Sequence, residues 1–517
     1  MVIKTAAEMA MEMANDKMMG ILEEIEYEVV IGMETHIELD TVSKMFCSCS
    51  ANFFGVEPNI NVCPTCLGLP GALPVINKTA VEYAIMIGLA LNCQVAPHTF
   101  WERKSYWYPD LPKGYQITQY QYPSNFDGYL EVDVRDLSSG NWVEDSYKHK
   151  VRIRRAHLEE DTGKLVHAGK SSFVDYNRSG VPLIEIVTEP DIHSADEAYA
   201  YLSALRDIVR YLGVSTGDME KGAMRCEPNM SLRPKGSDAF GTKVEIKNLN
   251  SLRAVRDSIA YEIKRQTKLL NTGGKVVQVT MGWDDVRGVT VVQRKKEDAH
   301  DYRYFPEPDL PPLDVGDDWL NQIKVRVPEL PLHKQAHYRA DFGLSGYDAA
   351  ILTGDRSVAE WFEQAVATAG APRAKKVANW VQTEVFRLMN ANGVANANIN
   401  TIQIKPQQLG DLIVLVETGA INNNTAREVF EAMFKTGQDA KTIVDAKGLG
   451  QISDTSALQK IIEDVIAANA TQVQQYLGGN EKLFGFFVGQ AMKATKGKGN
   501  AGLINQMLKE AIEKQKS

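Results

Sequence analysis

The alternation of apolar and polar residues is sharpest near the start of the chain, in the run EVVIGMETHIELD, residues 28–40. Successive side chains of a strand point to opposite faces, so this run predicts a strand with one mostly apolar face. The other face carries Glu34, His36 and Glu38. A solvated face is one interpretation of this composition. A row of metal ligands on a rigid element is the other, because carboxylate and imidazole groups suit divalent metals and phosphate chemistry.

The hydrophobic pattern changes along the chain and divides it into domains. Short β-like runs, punctuated by Gly and Pro and interspersed with helical segments, predict an α+β domain with a large antiparallel sheet over residues 27–328. Later apolar residues recur at helical spacing, which predicts an all-α domain over 329–448 and a small helical tail domain over 449–517. The run KGLGQIS, residues 447–453, is the predicted hinge between these two modules.

Composition narrows the class of protein. Residues 1–26 are rich in Met and acidic side chains without a continuous apolar core, so we interpret them as a short helical extension and not as a signal peptide. No apolar run approaches the roughly 20 residues of a membrane span, and we expect a cytoplasmic protein. The net charge of −9 argues against general coating of nucleic acid, although it leaves room for a local basic patch.

Four of the six cysteines form two close pairs, Cys47-x-Cys49 and Cys63-x-x-Cys66. Paired thiols at this spacing in a cytosolic chain favour metal over disulfides, and four thiolates complete a tetrahedral zinc site. We expect a closed, structural zinc site, with reduced structural thiols as the alternative. The two remaining cysteines are isolated, and we expect both to be buried: Cys93 and Cys226.

Further carboxylates lie in three runs of the predicted sheet domain: HLEED (157–161), PLIEIVTEPD (182–191) and RCEPN (225–229). Each carboxylate taken singly is compatible with a solvated strand. Gathered in one fold, they repel one another and need cations or solvent. Together with His36 they favour a Mg²⁺ site that handles phosphates.

Basic and aromatic residues alternate in the run RKSYWYPDLPKGYQITQ, residues 103–119, which contains Lys104 and Lys113. Its prolines indicate a shaped loop that lines a pocket or stacks on a base, with a packed aromatic turn as the alternative. The sequence contains no G-x-x-x-x-G-K-[ST] loop, no kinase motif set and no G-x-S-x-G elbow. We identify no glutaminase nucleophile either. Any ATP chemistry therefore requires a less common fold.

These segments together resemble one family closely, the B subunits of aspartyl/glutamyl-tRNA(Asn/Gln) amidotransferases (GatB). The resemblance runs from about residue 27 to the end, and the C-terminal run is similar to the family's GatB/YqeY-like tail domain. The matching runs are IGMETHIEL, SKMFCSCS, CPTCLGLPGALPVIN, RKSYWYPDLPKGYQITQ, HLEEDTGK, DYNRSGVPLIEIVTEPDI, RCEPNMSLRP, GTKVEIKNLNS, DYRYFPEPDLPP and FFVGQAMKATKGKGNAGLINQMLKE.

The resemblance implies a cradle-like catalytic domain and a two-step reaction. ATP and Mg²⁺ activate the side-chain carboxylate of Glu-tRNA(Gln) or Asp-tRNA(Asn) as an acyl phosphate, and ammonia then displaces phosphate. A glutaminase partner of the amidase type supplies the ammonia, and a small third partner completes a heterotrimer. A separate glutaminase explains the missing nucleophile. Phosphoryl transfer depends mainly on positioning and charge neutralisation, for which metal ligands and cations are suited.

Site residues follow from the matched motifs. The resemblance assigns the Mg²⁺ shell to His36, Glu160, Glu185 and Glu227 and the zinc site to Cys47, Cys49, Cys63 and Cys66. It places Glu34 beside the metal, where it orients substrate or takes a proton from incoming ammonium. It also places two lysines near the family's ammonia path, where we expect them to contribute to cofactor binding: Lys104 and Lys113. In the tail we expect tRNA contacts from three lysines, Lys493, Lys496 and Lys498, because flexible lysines approach phosphates readily.

Three departures from the family pattern stand out. Glu227 replaces the usual Asp of R-C-D-x-N, and Val279 and Met281 replace the Glu and Arg of Q-E-T-R. Two other classes of function compete with the amidotransferase interpretation: a non-catalytic tRNA-binding scaffold and a metal-dependent phosphodiesterase acting on tRNA. A scaffold has no need of the acidic and histidine cluster, and ATP dependence separates the phosphodiesterase from an amidotransferase.

Overall fold

The structure is a computed structural model that describes residues 26–135, 146–295, 301–450, 455–495 and 499–514. The chain divides into two compact units, of which the first ends at Leu332 and the second begins at His333. Most of the N-terminal extension (1–25), part of the expected hinge (451–453) and Lys496 and Lys498 lie outside the described residues. Among the described helices, none is both long and apolar enough to cross a membrane.

The first unit contains all the described strands. They are β1 Tyr27–Glu38, β2 Gln94–Val95, β3 His98–Thr99, β4 Glu102–Ser105, β5 Tyr115–Thr118, β6 Asn125–Val134, β7 Tyr147–Glu160, β8 Lys164–Ala168, β9 Ser171–Asp175, β10 Pro182–Thr188, β11 Met224–Pro234, β12 Val244–Lys247, β13 Val279–Asp284, β14 Val289–Lys295, β15 Phe305–Pro306 and β16 Leu313–Asp314. Four helices lie wholly within it: α1 Lys78–Ala90, α2 Ala195–Leu212, α3 Leu252–Asn271 and α4 Asp317–Lys324.

Within the described residues, twelve of these strands form one sheet, in the order β14-β13-β12-β11-β1-β10-β7-β5-β4-β15, with β6 and β2 branching from β7. The α+β prediction is confirmed, but the sheet is mixed, because β12 and β13 pair in parallel while the other recorded pairs are antiparallel. The helix α3 connects these two strands and carries the chain back to the same end of the sheet, as a parallel pair requires.

The strand β1 shows why one face of the sheet stays polar. Its apolar positions Met33 and Ile37 are fully buried in a core shared with α1, α2 and α3. Each such side chain contributes roughly 1.5–3 kcal/mol by leaving water. Glu34 and His36 alternate with these positions and are half-buried on the opposite face. Helices thus cover the apolar face of the sheet, and the polar face remains accessible for chemistry.

Local signals set the ends of the core helix α2. The side chain of Ser194 accepts a hydrogen bond from the backbone N–H of Glu197, which caps the helix N-terminus. At the other end Gly213 adopts φ of 68°, and its N–H donates to the carbonyl of Arg210. Glycine enters this left-handed conformation without steric penalty, so the helix stops there.

The second unit is helical throughout its described part. Its helices are α5 Pro331–Asp341, which begins two residues before the unit boundary, α6 Gly346–Leu352, α7 Arg356–Ala369, α8 Ala374–Trp380, α9 Phe386–Ala391, α10 Pro406–Glu417, α11 Asn423–Thr436, α12 Ala440–Lys447, α13 Thr455–Ala468, α14 Ala470–Leu477, α15 Phe484–Ala494 and α16 Ala501–Glu513. Between them lie 3₁₀ turns at Ala371–Arg373, Asn396–Thr401 and Glu481–Leu483 and a π-helical turn at Val381–Val385.

Two apolar clusters fill the second unit. One extends from Tyr338 to Val444, and the other joins α13, α14, α15 and α16 from Leu458 to Ile512. Because the second cluster combines helices from both sides of YLGGN (476–480), that run is a turn between helices of one core and not a junction between modules, although Gly478, Gly479 and Asn480 are exposed.

Candidate active site

A row of polar residues crosses four neighbouring strands on the open face of the sheet. In β1, His36 pairs with Arg225 of β11 on one side and with Glu185 of β10 on the other. Glu185 in turn pairs with His157 of β7. Directly opposed residues of antiparallel strands share a face, so these four side chains lie side by side.

Three side chains at this row form a potential metal site. The Nε2 atom of His36 lies 3.8 Å from Oε2 of Glu185 and 3.9 Å from Oε2 of Glu159. One ligand atom from each residue can be chosen so that all three lie within 4.8 Å of one another. Ligand atoms that share one ion at about 2.1 Å lie no more than about 4.2 Å apart, so the two His36 distances are just within this limit and the group would contract around a small divalent ion. Two carboxylates with an imidazole are suitable donors, and the donor set therefore suits a Mg²⁺-type ion.

The carboxylate of Glu159 is held in place from both sides. Oε1 accepts a hydrogen bond from the Thr118 hydroxyl at 2.9 Å, and Oε2 accepts one from Nε2 of Gln116 at 3.0 Å. Burial raises the pKa of Glu159, but Lys104 and His157 outweigh that effect and lower it. The group is therefore ionised, as a metal ligand must be.

The fully buried His157 supplies positive charge behind the three ligands. Its Nε2 lies 3.4 Å from a carboxylate oxygen of both Glu159 and Glu185. Burial lowers the pKa of His157, but these two carboxylates outweigh it and raise the pKa to about 9. The same ion pairs depress the pKa of Glu185 against its burial. His157 is thus an imidazolium that offsets part of the negative charge.

Lys104 borders the same group from β4. Burial lowers its pKa, yet Glu159 and Glu185 raise it well above its ordinary value, so the ammonium is retained. Its Nζ lies 5.1 Å from the centre of the Tyr302 ring. A retained cation beside a metal site is well suited to neutralise phosphate charge.

Two more of the expected carboxylates lie beside the row, each two residues along its own strand, Glu34 from His36 in β1 and Glu227 from Arg225 in β11. Glu34 and Glu227 are paired across β1 and β11. The pKa of Glu34 is raised, first by burial and then by the carboxylates of Glu185 and Glu227. Oε2 of Glu227 accepts a hydrogen bond from Lys247 at 2.8 Å, and Oε1 of Glu34 accepts one from Asn229 at 3.2 Å. Among the described residues, Glu227 is not part of the three-ligand group.

Glu160 lies on the other face of β7 from Glu159. Its Oε1 accepts a hydrogen bond from the backbone N–H of Ile117 at 3.0 Å and forms an ion pair with Lys113. Both side chains are almost fully buried. The structure therefore separates Glu160 from His36 and brings Glu159 to the position expected for it. The alternation of side chains along HLEED indicates this arrangement, because His157 and Glu159 lie on one face of the strand and Glu160 lies on the other.

At the far end of the row, sequence reasoning missed a charged network. Arg225 donates to Oδ2 of Asp161 at 2.7 Å, and Nε of Arg178 lies 3.7 Å from the same oxygen. These cations hold the pKa of Asp161 at about 2 despite its burial. Burial and the Asp161 carboxylate raise the pKa of Glu38 to about 8. Glu38 and Asp161 together therefore hold one proton at neutral pH.

The four cysteines Cys47, Cys49, Cys63 and Cys66 come together in one cluster, with sulfur atoms within 4.8 Å of one another. The Sγ of Cys66 accepts a hydrogen bond from the N–H of Cys63 at 3.1 Å. Contacts with Cys47, this N–H and Lys44 lower the pKa of Cys66 to about 4 in spite of burial. Four sulfur donors around one point fit a closed tetrahedral metal site. Both isolated cysteines, Cys93 and Cys226, are buried.

The other residues singled out by the sequence belong to other parts of the chain. Lys493 is exposed in the last turn of α15, in the second unit. Val279 and Met281 pack with Val244 in a small buried cluster, so the apolar residues at these two positions serve the interior of the fold.

Comparison with known proteins identifies the family of the chain. Residues 29–321 match the GatB/GatE catalytic domain, and residues 360–512 match the GatB domain. Relatives named as the B subunit of aspartyl/glutamyl-tRNA(Asn/Gln) amidotransferase include those of Thermodesulfovibrio yellowstonii, 52% identical over 94% of this chain and 99% of that protein, and Moorella thermoacetica, 50% identical over 94% and 100%. That of Caldicellulosiruptor saccharolyticus is 49% identical over 95% and 100%. The chain belongs to the family of aspartyl/glutamyl-tRNA(Asn/Gln) amidotransferase B subunits.

Proposed function

We propose that this chain is the synthetase component of a glutamine-hydrolysing, tRNA-dependent amidotransferase. It converts Glu-tRNA(Gln), Asp-tRNA(Asn) or both into the amidated product, with ATP as co-substrate. The observation that carries the proposal is the group His36, Glu159 and Glu185 on the open face of the sheet, with Lys104 at its edge. A non-catalytic scaffold for tRNA has no use for this arrangement.

The first step is phosphorylation. A carboxylate resists amidation because its leaving group is oxide, so the substrate carboxylate oxygen attacks the γ-phosphorus of ATP and ADP departs. His36, Glu159 and Glu185 would hold Mg²⁺, which neutralises phosphate charge when bound. Lys104 contributes a further fixed cation. The His157 imidazolium offsets the repulsion between the carboxylates of Glu159 and Glu185.

The second step is amidation. Ammonia attacks the acyl carbon, the carbon–oxygen bond to phosphate breaks, and the nitrogen loses a proton. Glu34 is the candidate proton acceptor, because it lies two residues from His36 on the same face of β1 and its raised pKa favours proton uptake. We propose that the ammonia comes from a glutaminase partner of the amidase type and that a small third partner completes a heterotrimer.

We further propose structural Zn²⁺ in the cysteine cluster and tRNA contacts in the tail, where Lys493 is exposed. Four thiolates leave no open position for substrate, so the zinc serves folding and positioning. Lys496 and Lys498, which follow Lys493 closely in sequence, complete the proposed tRNA contact. Charged tRNA and ATP meet in the cytoplasm, where we expect the complex to work.

The decisive experiment is transamidation by the reconstituted heterotrimer. Glu-tRNA(Gln) and Asp-tRNA(Asn) are offered separately with ATP, Mg²⁺ and glutamine, and the amino acid released from the product tRNA is identified. We expect Gln, Asn or both, with one ADP per amide. If neither tRNA supports formation of ADP, the chain would have to be a non-catalytic tRNA-binding scaffold. Cleavage of the tRNA without ATP would instead identify a phosphodiesterase.

A further inference from the structure

The cysteine cluster and the Lys113–Glu160 pair line the same pocket, which has a volume of about 200 Å³. Cys47 and Cys66 are among its lining residues, together with Lys113 and Glu160. The polar face with His36 lies across the sheet from Glu160. The two groups are therefore neighbours on a face that the proposed phosphorylation chemistry does not use.

Two glycines lie where the two groups pack closely. A Cβ atom added to Gly68 would lie 2.4 Å from Cγ of Lys113 and 2.9 Å from its Cα. A Cβ added to Gly180 would lie 3.6 Å from Cβ of Cys66 and 3.8 Å from Oε2 of Glu160. Backbone φ values of 68° at Gly68 and 87° at Gly180 favour glycine at both positions, and at Gly68 the short distances to Lys113 exclude a Cβ as well. The cysteine loop thus packs on Lys113, and Gly180 lies beside both Cys66 and Glu160.

A buried lysine ties these segments together. The ammonium of Lys44, fully buried, lies 3.7 Å from Sγ of Cys66 and donates to the carbonyls of Asn61 at 2.8 Å and Tyr176 at 3.2 Å. Four thiolates around a dication carry a net negative charge, which this ammonium offsets. Tyr176 precedes Gly180 closely in the chain, so Lys44 links the cysteine loop to the segment beside Glu160.

We propose that metal in the cysteine cluster positions the Lys113–Glu160 pair, so that metal occupancy and the state of this ion pair are energetically coupled. Close-packed interiors transmit displacements, because neighbouring atoms have no free space to absorb them. Loss of the metal lets the four sulfur atoms separate, which displaces the Gly68 backbone from Lys113 and the Gly180 segment from Glu160. Coupling of this kind is reciprocal, so disrupting the pair must also weaken metal retention. The inference rests on the proposed zinc site.

The first test measures the accessibility of lysine amines with and without metal. The full-length chain is assayed for zinc, part of it is stripped with a chelator, and both samples are briefly acetylated and analysed by peptide mass spectrometry. We expect acetylation of Lys113 and Lys44 to rise at least about fivefold in the stripped protein, the low end of typical couplings. Lys104 is the control, because its contacts lie on the opposite face of the sheet.

Each outcome of this test is informative. Absence of zinc in the untreated protein would overturn both the proposed zinc site and this inference. Zinc present and removed, with Lys113 acetylation unchanged, would overturn the inference alone. An equal rise at Lys104 would show general unfolding and also overturn it.

The second test measures the reverse direction. The zinc-loaded full-length variants Glu160→Gln and Glu159→Gln are mixed with excess chelator, and the rate of zinc release is followed. We expect release at least about fivefold faster than wild type in Glu160→Gln and an unchanged rate in Glu159→Gln, whose side chain faces away from the cluster. Should Glu160→Gln fail to fold, Lys113→Met removes the charge and keeps the stem that packs on Gly68. Wild-type release from the folded variant would overturn the coupling.

Discussion

Glu159 and Glu160 are adjacent in the chain, yet their carboxylates lie on opposite faces of the sheet and in different chemical environments. Glu159 contacts His36 and His157, whereas Glu160 pairs with Lys113 beside the cysteine cluster. The two residues therefore form a matched pair for experiment, because one charge can be removed from either face of the same strand without changing side-chain volume.

We expect Glu159→Gln to lower aminoacyl-tRNA-dependent ADP formation by about 10²-fold or more, as removal of a metal ligand does. His36→Ala should have a similar effect. Glu160→Gln should retain ADP formation within a few-fold, since its carboxylate does not reach the metal group. Single-turnover ADP assays on the complex provide the measurement. Equal losses in Glu159→Gln and Glu160→Gln would contradict the assignment of faces.

Metal removal should destabilise the chain. We expect one zinc per chain, and a lower melting temperature after chelation, because metal that binds only the folded cluster adds to the free energy of unfolding. Cys63→Ser should melt at the temperature of the chelated wild type and should not respond to chelator. Metal analysis with differential scanning fluorimetry tests this, and free, titratable thiols without metal would rule the site out.

Asp207 gives a prediction of pH dependence away from both metal sites. Burial raises the pKa of this carboxyl in α2 to about 6, against the partial opposition of Arg206 and Arg210. The folded state therefore binds the proton more tightly than the unfolded state, and stability falls as pH rises from about 4 to 6 and stays lower above that range.

Asp207→Asn removes this penalty. Because the side chain is about one-third exposed, solvent screening reduces the expected gain. We expect the free energy of unfolding to rise by about 1 kcal/mol at pH 7.5, which corresponds to roughly 2 °C in melting temperature. At pH 4.5 the gain should be about a third as large. Replacement of the exposed Asp238 by Asn is the control, and it should change neither the free energy of unfolding nor the melting temperature at either pH. A gain that is the same at both pH values would contradict the ionisation argument.

Truncation tests the tail. Because the helices of the tail share one core, the chain should end at about Gly450, before α13, and not at Gly478, which would expose Leu458 and its neighbours. We expect this truncation to weaken tRNA binding strongly while glutamine hydrolysis by the complex persists. Unchanged tRNA affinity would reassign the tail to packing or to contact with a partner protein.

Charge reversal tests the lysines themselves. Lys493→Glu combined with Lys496→Glu and Lys498→Glu should reduce the slope of log affinity against log salt by about 2 to 3, since each lost phosphate contact accounts for about 0.7–0.9. Lys375→Glu with Lys441→Glu, two exposed lysines of the same unit, should leave that slope unaltered. Fluorescence anisotropy across a salt series measures it. A slope that stays at the wild-type value in the triple variant would remove these lysines from the interface.

Local pattern was enough to predict several elements. The alternation in β1 is reproduced in its burial from Ile31 to Glu38, with Met33 and Ile37 buried and His36 half-buried on the other face. The two cysteine pairs close into one cluster because their spacing already restricts them. Gly213 ends α2 because glycine adopts the left-handed conformation readily. Each of these features depends on residues that are near one another in the chain.

Long-range register was harder to obtain from sequence. That Glu159 and not Glu160 reaches His36 depends on the alignment of β7 with β10, and a shift of one residue exchanges the faces. The contacts of Arg225 with Asp161 and of Lys44 with Tyr176 join positions far apart in the chain. Similarly, the YLGGN glycines look like a junction until Phe487 and Leu458 are seen in one core.

The position of β1 in the middle of the sheet has a consequence for synthesis on the ribosome. Its two hydrogen-bonding partners, β10 and β11, come well over a hundred residues later in the chain. Until both have been translated, β1 leaves the ribosome with two open edges, and such edges favour wrong pairing between nascent chains. His36 cannot meet Glu185 and Arg225 before that point. The catalytic surface should therefore be completed late in translation, and chaperone protection should matter most while β1 awaits its partners.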